Sequence, residues 1–282
     1  MDRRFRLVDV FGERPLTGNP LAVVVDAEDL TTEQMLDITR WLNFSETSFL
    51  LPPETEGADY KVRIFTLAGE LPFAGHPTLG SCHVWQTLSD ESRDQIVQEC
   101  GAGLIRLRRY GDGFAFSAPD LVRAGPVDGN HLAEVAVVLG VDGADIHDAR
   151  WVDNGPGWVG LLLADADTVL DLEPDFSRYI RDEALDIGVV GMYPDGSPCR
   201  YEVRAFFSGS RGEMVEDPVT GSLNASLAQW LLSEGRVDAP YVASQGTRLG
   251  RRGRVQITTD DSGSVWVGGA VFDVVDGRLR PD

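Results

Sequence analysis

The chain has 282 residues, of which 43% are hydrophobic and 25% charged, a composition typical of a globular protein with one large domain or two smaller ones. Its formal net charge of −20 argues against a nucleic-acid-binding protein, which presents a basic surface to phosphates, and against attachment to an anionic membrane. Three widely spaced cysteines and four histidines argue against a disulfide framework and a structural metal site. Because the N-terminus has no apolar signal core, we expect a reduced, cytoplasmic protein.

The first half of the chain alternates short strands with two helices. Thr31 and Gln34 have the spacing of a capping box, which predicts that an amphipathic helix begins there. Apolar residues from His76 to about Leu88 predict a buried helix. Strands are predicted at Phe5–Val10, Leu21–Val25, Thr47–Leu51, Tyr60–Thr66, Ile96–Glu99, Leu104–Arg109 and Gly113–Ser117.

The second half begins after Pro119–Pro126, which is the best candidate for a linker. Beyond it the pattern predicts helices from about His131 to Leu139 and from about Gly221 to Glu234. Strands are predicted at Gly157–Leu163, Tyr201–Phe207, Arg254–Thr258, Ser264–Val267 and Ala270–Val275.

One short sequence occurs twice, because Val62–Phe65 (VRIF) recurs 141 residues later as Val203–Phe206 (VRAF). Each copy leads through a short acidic loop to a glycine, Gly75 or Gly221, that opens an apolar helix. The repeat predicts two pseudo-symmetric domains, each with a central helix. A helix start carries unpaired backbone N–H groups and the positive end of the helix dipole. Two such starts facing one cleft would therefore bind a small anionic substrate without lysine.

Glu46 is the only carboxylate between Asn43 and Phe49, where a helix gives way to a strand. Its neighbours are apolar or carry hydroxyl groups. A carboxylate in this position is typical of a solvated loop, but partial burial would raise its pKa towards neutrality and make it a general acid or base. The residues alone leave both interpretations open.

Polar residues lie beside both glycines of the repeat. His76 precedes Pro77, which suits the first turn of a helix, so we expect His76 at the helix start and facing outward. Asp217 precedes a proline and favours extended backbone, while Ser222 is placed to cap the next helix or to donate to a ligand. From these residues alone, a structural histidine and a capped turn are the simpler explanations.

Taken together, the segments resemble the phenazine biosynthesis PhzF family, which is similar in fold to diaminopimelate epimerase. The resemblance runs from residue 18 to about residue 270. It rests on Gly18–Val24 (GNPLAVV), Ser45–Phe49 (SETSF), Arg63–Thr66 (RIFT), Glu70–Thr78 (ELPFAGHPT), Glu216–Ser222 (EDPVTGS) and Gln245–Gly246.

The resemblance implies an α+β fold of two pseudo-symmetric domains. Each would be a curved, mostly antiparallel sheet or barrel around a central helix, with the active site in the cleft between them. It also implies that the last strands return to the first domain. That domain would comprise residues 1–118 and about 268–282, and residues 119–267 would form the second. A homodimer is expected on the same grounds.

The family's best-known activity isomerises a dihydro-hydroxyanthranilate without a cofactor. The resemblance therefore implies a cofactor-independent isomerase that acts by single-base proton transfer on a small cyclic amino or hydroxy acid. Glu46 would be the acid/base, with His76 and Asp217 as the other catalytic residues. The substrate-binding residues implied are Gly75, Thr78, Gly221 and Ser222.

Two alternatives stay open. Amino-acid epimerases of the related fold use one cysteine at the start of each central helix. Here those positions read Ala74-Gly75-His76 and Thr220-Gly221-Ser222, which contain no thiol. A single carboxylate base favours double-bond migration over stereoinversion. The other alternative is a homologue that binds a small molecule without turning it over.

Overall fold

In the computed structural model of this protein, the described residues are 2–111, 113–178, 185–208 and 214–280. The chain divides into two compact units. The first contains residues 1–117 and 266–282, and the second contains residues 118–265. Within the described ranges, no helix is both long enough and apolar enough to cross a membrane.

Strands and helices follow one another in a mixed order. The first stretch comprises β1 (Arg3–Val10), β2 (Asn19–Val24), α1 (Thr32–Leu42), β3 (Glu46–Leu51), β4 (Tyr60–Thr66), β5 (Glu70–Leu71), α2 (Gly75–Leu88), β6 (Gln95–Cys100), β7 (Gly103–Tyr110) and β8 (Gly113–Ser117). It continues with β9 (Arg123–Pro126), α3 (Gly129–Leu139), β10 (Asp148–Asp153), β11 (Trp158–Leu162), α4 (Ala166–Asp171) and β12 (Asp186–Met192). The last stretch comprises β13 (Tyr201–Ser208), β14 (Met214–Asp217), α5 (Gly221–Ser233), β15 (Tyr241–Gln245), β16 (Gly253–Thr259) and β17 (Val265–Leu279).

The first unit is a closed barrel around α2. Its strands pair in the order β1–β2–β3–β4–β6–β7–β8–β17, and β17 pairs back with β1. The β2–β3 and β4–β6 pairs are parallel and the other six pairs of the ring are antiparallel. The first part of helix α2, Gly75–Cys82, is entirely buried and consists mostly of small or apolar residues, as expected for a helix segment enclosed by a barrel.

A glycine sets how closely α2 approaches the barrel wall. A Cβ atom on Gly80 would lie 2.5 Å from a methyl carbon of Leu21 and 3.1 Å from methyl carbons of Val8 and Val10. The helix therefore packs directly on β1 and β2 only because this side chain is absent. This contact lies one turn after the start of α2 and fixes that start close to the beginning of β2.

The second unit repeats this topology around α5. Its strands pair in the order β9–β10–β11–β12–β13–β15–β16. From β10 to β16 the parallel pairs β11–β12 and β13–β15 alternate with antiparallel pairs, as β2–β3 and β4–β6 do from β1 to β7. The short strands β5 and β14 each pair antiparallel with the strand that carries the repeated sequence. The short VRIF/VRAF repeat thus reflects a repeated strand order.

The helices predicted from the sequence are confirmed, including the capping box of Thr31 and Gln34. The structure differs from the prediction in three respects. The strands predicted at Ser264–Val267 and Ala270–Val275 are one strand, because its first part pairs with β8 and its second part continues directly into pairing with β1. Pro119–Pro126, predicted as a linker, contains β9, which pairs with β10. Strands β5, β10, β12, β14 and β15 and helix α4 were not predicted.

Candidate active site

Glu46 is the first residue of β3 and lies on the same face of that strand as Ser48 and Leu50, since side chains alternate along a strand. The preceding helix ends at Asn43 in the left-handed conformation (φ 57°, ψ 33°), which turns the chain into the strand. The Glu46 side chain is only 18% exposed. Its Oε2 atom is buried and accepts no hydrogen bond from the described part of the chain.

This burial changes the acidity of Glu46. Loss of solvation raises the pKa of the Glu46 carboxyl from its ordinary value of 4.5 to about 6, and a hydrogen bond from the Ser45 side chain opposes part of the shift. A carboxyl with a pKa of about 6 is mostly ionised at neutral pH but holds a proton more firmly than an exposed glutamate. Such a group can remove a proton from a substrate and return it.

His76, a predicted site residue, lies beside Glu46. Its Nε2 atom lies 3.7 Å from Oε2 of Glu46, and its Nδ1 atom lies 3.4 Å from the side-chain nitrogen of Asn19. The expectation that His76 faces outward was wrong, because its side chain is only 4% exposed. The reason is that α2 lies inside the barrel, so its first turn is enclosed together with the rest of the helix.

The other residues predicted on α2 have different surroundings. Gly75 is the first residue of the helix and is buried, and Ala74 before it provides no side-chain cap. The hydroxyl of Thr78 accepts a hydrogen bond from Gln98 (3.0 Å), whose amide oxygen accepts one from the Tyr60 hydroxyl (2.8 Å). Thr78 is fully buried. Its hydroxyl therefore links the helix to the barrel wall in addition to any contact it makes with a substrate.

In the second unit, Asp217 ends β14 and begins a turn into α5. Its Oδ2 atom accepts a hydrogen bond of 2.5 Å from the Thr220 hydroxyl. The Gln245 amide nitrogen donates to the Asp217 carbonyl (3.1 Å) and to the Thr220 hydroxyl (2.9 Å), and its amide oxygen accepts from the Thr220 backbone N–H (2.9 Å). Asn224 adds a bond to the same Gln245 oxygen (2.8 Å). The turn is thus held by four buried polar side chains.

Two glycines allow this turn to sit close to the next strands. A Cβ atom on Gly246 would lie 2.5 Å from the Pro218 carbonyl oxygen, and Gly246 has a φ of +88°, which glycine adopts without strain. A Cβ atom on Gly253 would lie 2.5 Å from a methyl carbon of Val219. In the Gln245–Gly246 motif, Gln245 therefore supplies hydrogen bonds to the turn, and Gly246 leaves room for the turn to pass close to it.

Gly221 and Ser222 open α5. Gly221 is buried, and Thr220 before it makes no side-chain cap bond. The Ser222 hydroxyl accepts a hydrogen bond from the Trp158 indole N–H at 3.2 Å, and its carbonyl accepts one from Asn154 at 2.9 Å. Because the indole can only donate, the Ser222 hydroxyl keeps its own proton for another acceptor.

Each unit has its own arginine–glutamate ion pair, which precedes the start of its central helix. Arg63 contacts both carboxylate oxygens of Glu70 at 2.7 and 2.6 Å, and Arg204 contacts both oxygens of Glu216 at 3.0 and 2.8 Å. Each arginine also lies over the aromatic ring two residues further on, 5.1 Å from the ring centre in one unit and 5.0 Å in the other. Each pair fixes the carboxylate at the beginning of the turn that leads to the helix.

Neither helix start carries a thiol. Cys82 is fully buried, seven residues after Gly75, and burial raises the pKa of its thiol well above the usual range. Among the residues that the structure describes, no group of three histidine, cysteine, aspartate or glutamate side chains is arranged to hold a metal ion. A cavity of about 290 Å³ in the first unit lies at the other end of α2, beside Trp85, Leu88 and Ser89, and Glu46 and His76 do not line it.

Comparison with known proteins identifies the family. The family model described as phenazine biosynthesis-like protein, PhzC-PhzF, matches residues 8–277. The chain belongs to the PhzF family. A trans-2,3-dihydro-3-hydroxyanthranilate isomerase from Pseudomonas fluorescens is 34% identical over 248 residues, covering 87% of this chain and 86% of that protein. Antisense-enhancing sequence 1 from Schizosaccharomyces pombe is 31% identical over 297 residues, covering 98% of each.

Solved structures confirm the family and the fold class. A PhzF-family protein from Enterococcus faecalis superimposes with a TM-score of 0.80 at 26% identity, covering 99% of this chain and all of that one. A hydroxyproline epimerase from Agrobacterium vitis has a TM-score of 0.56 at 12% identity and covers 99% of this chain and 92% of that one, which shows a shared fold alone. The α+β, epimerase-like fold is therefore confirmed, and the chain is an isomerase of the PhzF family.

Sequence reasoning missed several residues that hold these groups in place. Asn19 and Gln245 belong to motifs that the family resemblance quoted, but no role was predicted for them. Thr220 and Asn224 complete the network around Asp217. The sequence indicated these residues only through their position within or near a motif. Such a position does not distinguish a residue that supports the site from one that contacts the substrate.

Proposed function

We propose that this protein is a cofactor-independent isomerase in which Glu46 moves a proton within a small cyclic amino or hydroxy acid. The observation that carries the proposal is the state of Glu46. Its carboxyl is nearly buried, has a pKa raised to about 6, and lies 3.7 Å from a histidine nitrogen at the start of the central helix. These are the properties of a group that both accepts and donates a proton near neutral pH.

The proposed reaction has two balanced steps. The Glu46 carboxylate removes a proton from a ring carbon, so a C–H bond breaks, an O–H bond forms, and the electron pair enters the conjugated system of the substrate. The Glu46 carboxylic acid then returns the proton to another carbon of that system. The double bond has migrated, no electron is gained or lost, and the base is restored.

The charge that develops on the substrate needs a matching environment. The start of α2 supplies backbone N–H groups that the helix itself does not use, beginning with Gly75, together with the positive end of the helix dipole. His76, in contact with Glu46, is proposed to relay or orient the proton. In the second unit we propose Asp217 as a further proton-relay group, with Gly221 and Ser222 as substrate donors.

The relatives and the helix starts support a substrate class. Relatives that are 32–34% identical are named trans-2,3-dihydro-3-hydroxyanthranilate isomerases. We propose a related ring carboxylic acid with a neighbouring amino or hydroxyl group as the substrate. Stereoinversion by two thiols is not supported, since neither helix start has a cysteine and the Cys82 thiol is buried.

The decisive experiment measures proton exchange. The protein is incubated in heavy water with trans-2,3-dihydro-3-hydroxyanthranilate and with a panel of related ring acids, and deuterium incorporation and isomer formation are followed by NMR. Glu46→Gln should reduce exchange at least a thousandfold, because the amide cannot accept the proton. Glu56→Gln, which changes an exposed glutamate in the same unit, should leave it unchanged. Undiminished exchange in Glu46→Gln would refute the proposal.

A further inference from the structure

Asn19 is a buried residue to which the proposed reaction assigns no role. It is the first residue of β2, is only 1% exposed, and places its side-chain nitrogen 3.4 Å from Nδ1 of His76. An amide nitrogen can only donate a hydrogen bond. The imidazole nitrogen that faces it must therefore accept, and a ring nitrogen accepts only when it carries no proton.

The contact with Asn19 also determines whether Nε2, on the other side of the imidazole ring, carries a proton. A neutral imidazole has one proton, so an unprotonated Nδ1 leaves the proton on Nε2. Nε2 is the atom that lies 3.7 Å from Oε2 of Glu46. The donor N–H then points towards a buried carboxylate oxygen that has no other hydrogen bond within the described ranges. The opposite tautomer would direct two unprotonated acceptors, Nε2 and Oε2, at each other.

The two residues before Asn19 are held by a buried carboxylate. Asp9 is 2% exposed and accepts the backbone N–H of Thr17 at 3.0 Å and that of Gly18 at 2.9 Å. A Cβ atom on Gly18 would lie 2.1 Å from the Val10 carbonyl oxygen, so only glycine allows the chain to pass this close to β1. The two residues that precede Asn19 are therefore fixed against β1.

The histidine is fixed to the same strands from its own side. The close contact of Gly80 with Leu21, described above, docks α2 on β2 two residues after Asn19. The two ends of the Asn19–His76 contact are thus anchored independently, although the residues are 57 positions apart in the chain. An orienting contact requires this kind of support.

We propose that Asn19, anchored through Asp9, is a positioning residue that keeps His76 in the tautomer with its proton on Nε2, directed at Glu46. The proposal rests on the proposed function, because it places the Nε2–H group of His76 beside the proposed base. Asn19 acts through His76 rather than on the substrate.

The tautomer can be measured without any substrate. In protein labelled with ¹⁵N-histidine, the two ring nitrogens of each of the four histidines have distinct chemical shifts when protonated and unprotonated. The His76 signals are assigned by their absence in His76→Gln. We expect wild-type His76 to show an unprotonated Nδ1 and a protonated Nε2. A protonated Nδ1 in the wild type would overturn the proposal.

Two variants test whether Asn19 determines the tautomer of His76. Asn19→Asp has the same shape but presents an acceptor to Nδ1, so the proton should move to Nδ1. Asn19→Leu removes the donor and should give a mixture of tautomers. Asn130→Asp makes the same chemical change at an exposed position of α3 and should leave the His76 signals as they are. An unchanged tautomer in folded Asn19→Asp would refute the role of Asn19.

The kinetic consequence is a loss in kcat of about 10- to 100-fold in Asn19→Asp, with KM changed less than about threefold, as for other partners that orient a functional histidine. A changed tautomer with an unchanged kcat would refute the catalytic importance of the contact. If the wild-type protein isomerises none of the ring acids, the proposed function fails, while the wild-type NMR spectrum still decides the tautomer.

Discussion

Replacing Glu46 with glutamine tests the physical state of the proposed base independently of any substrate. The carboxyl has a pKa of about 6 in the folded protein against an ordinary value of 4.5. A pKa raised on folding means that the ionised form is less well solvated in the folded protein than in the unfolded chain. The stability associated with this group is therefore fully present below pH 4.5 and is lost as the pH rises through 6.

The size of the effect follows from the shift. The difference between 4.5 and about 6 corresponds to about 2 kcal/mol of unfolding free energy between the fully protonated and fully ionised limits. Across the practical range from pH 5 to 7.5, the same two pKa values predict a loss of about 1.2 kcal/mol. Glutamine has nearly the same shape but no charge, so Glu46→Gln should not show this loss.

The assay is urea unfolding of the wild type and of Glu46→Gln at four pH values from 5 to 7.5. All other titrating groups are common to both proteins, so they cancel in the difference between the two unfolding free energies. We expect that difference to shift by about 1.2 kcal/mol in favour of the variant as the pH rises, with unchanged m-values. Glu56→Gln, which makes the same change at an exposed glutamate of the first unit, provides the matched control.

Two results would refute this reasoning. A difference that is independent of pH would show that Glu46 titrates as an exposed glutamate does. A difference that shifts in favour of the wild type at high pH would show that the folded protein stabilises the carboxylate, as an ion pair would. Either result would remove the physical basis for a base poised near neutral pH.

Four further predictions follow from the same geometry. If Glu46 acts as the base, kcat/KM of the exchange reaction should rise with pH through an apparent pKa of about 6 and level off above it. Glu216→Gln should reduce the free energy of unfolding by about 3 kcal/mol, because the buried Arg204 would lose its carboxylate partner. Glu70→Gln changes the more exposed pair and should reduce it by less than about 1 kcal/mol. Both changes are measured by urea unfolding. Gly18→Ala should destabilise the fold by more than about 2 kcal/mol, since its Cβ would meet backbone atoms rather than a movable side chain. Alkylation of native protein with iodoacetamide should leave exchange activity intact because Cys82 is buried, and rapid inactivation with modification of that thiol would contradict the single-carboxylate mechanism.

The sequence was most informative where local chemistry decides structure. The capping box at Thr31 needs only residues within one turn, and it forms as predicted. The two apolar helices that begin at Gly75 and Gly221 were predicted because a helix buried on all sides has a recognisable composition. The repeated VRIF/VRAF strand correctly indicated that one pattern of strands occurs twice.

Prediction failed where a residue's surroundings come from distant parts of the chain. Outward-facing His76 was a reasonable expectation for a helix start, but closure of the barrel encloses it. The support of Asp217 depends on Gln245, 28 residues away, and that of His76 on Asn19, 57 residues away. No periodicity or capping rule relates residues at such separations, so these contacts become visible only in the folded chain.

The two helix starts retain the same frame and differ in their chemistry. Each is preceded by a two-point arginine–glutamate pair and is reached by the same turn into an apolar helix. Yet the position held by His76 in one unit is held by Ser222 in the other, and Asp217 takes the position of Leu71. A racemase needs equivalent bases at both positions, one for each face of the substrate. The unequal residues are what the proposed function requires, in which Glu46 is the one principal base and returns the proton to the face from which it was taken.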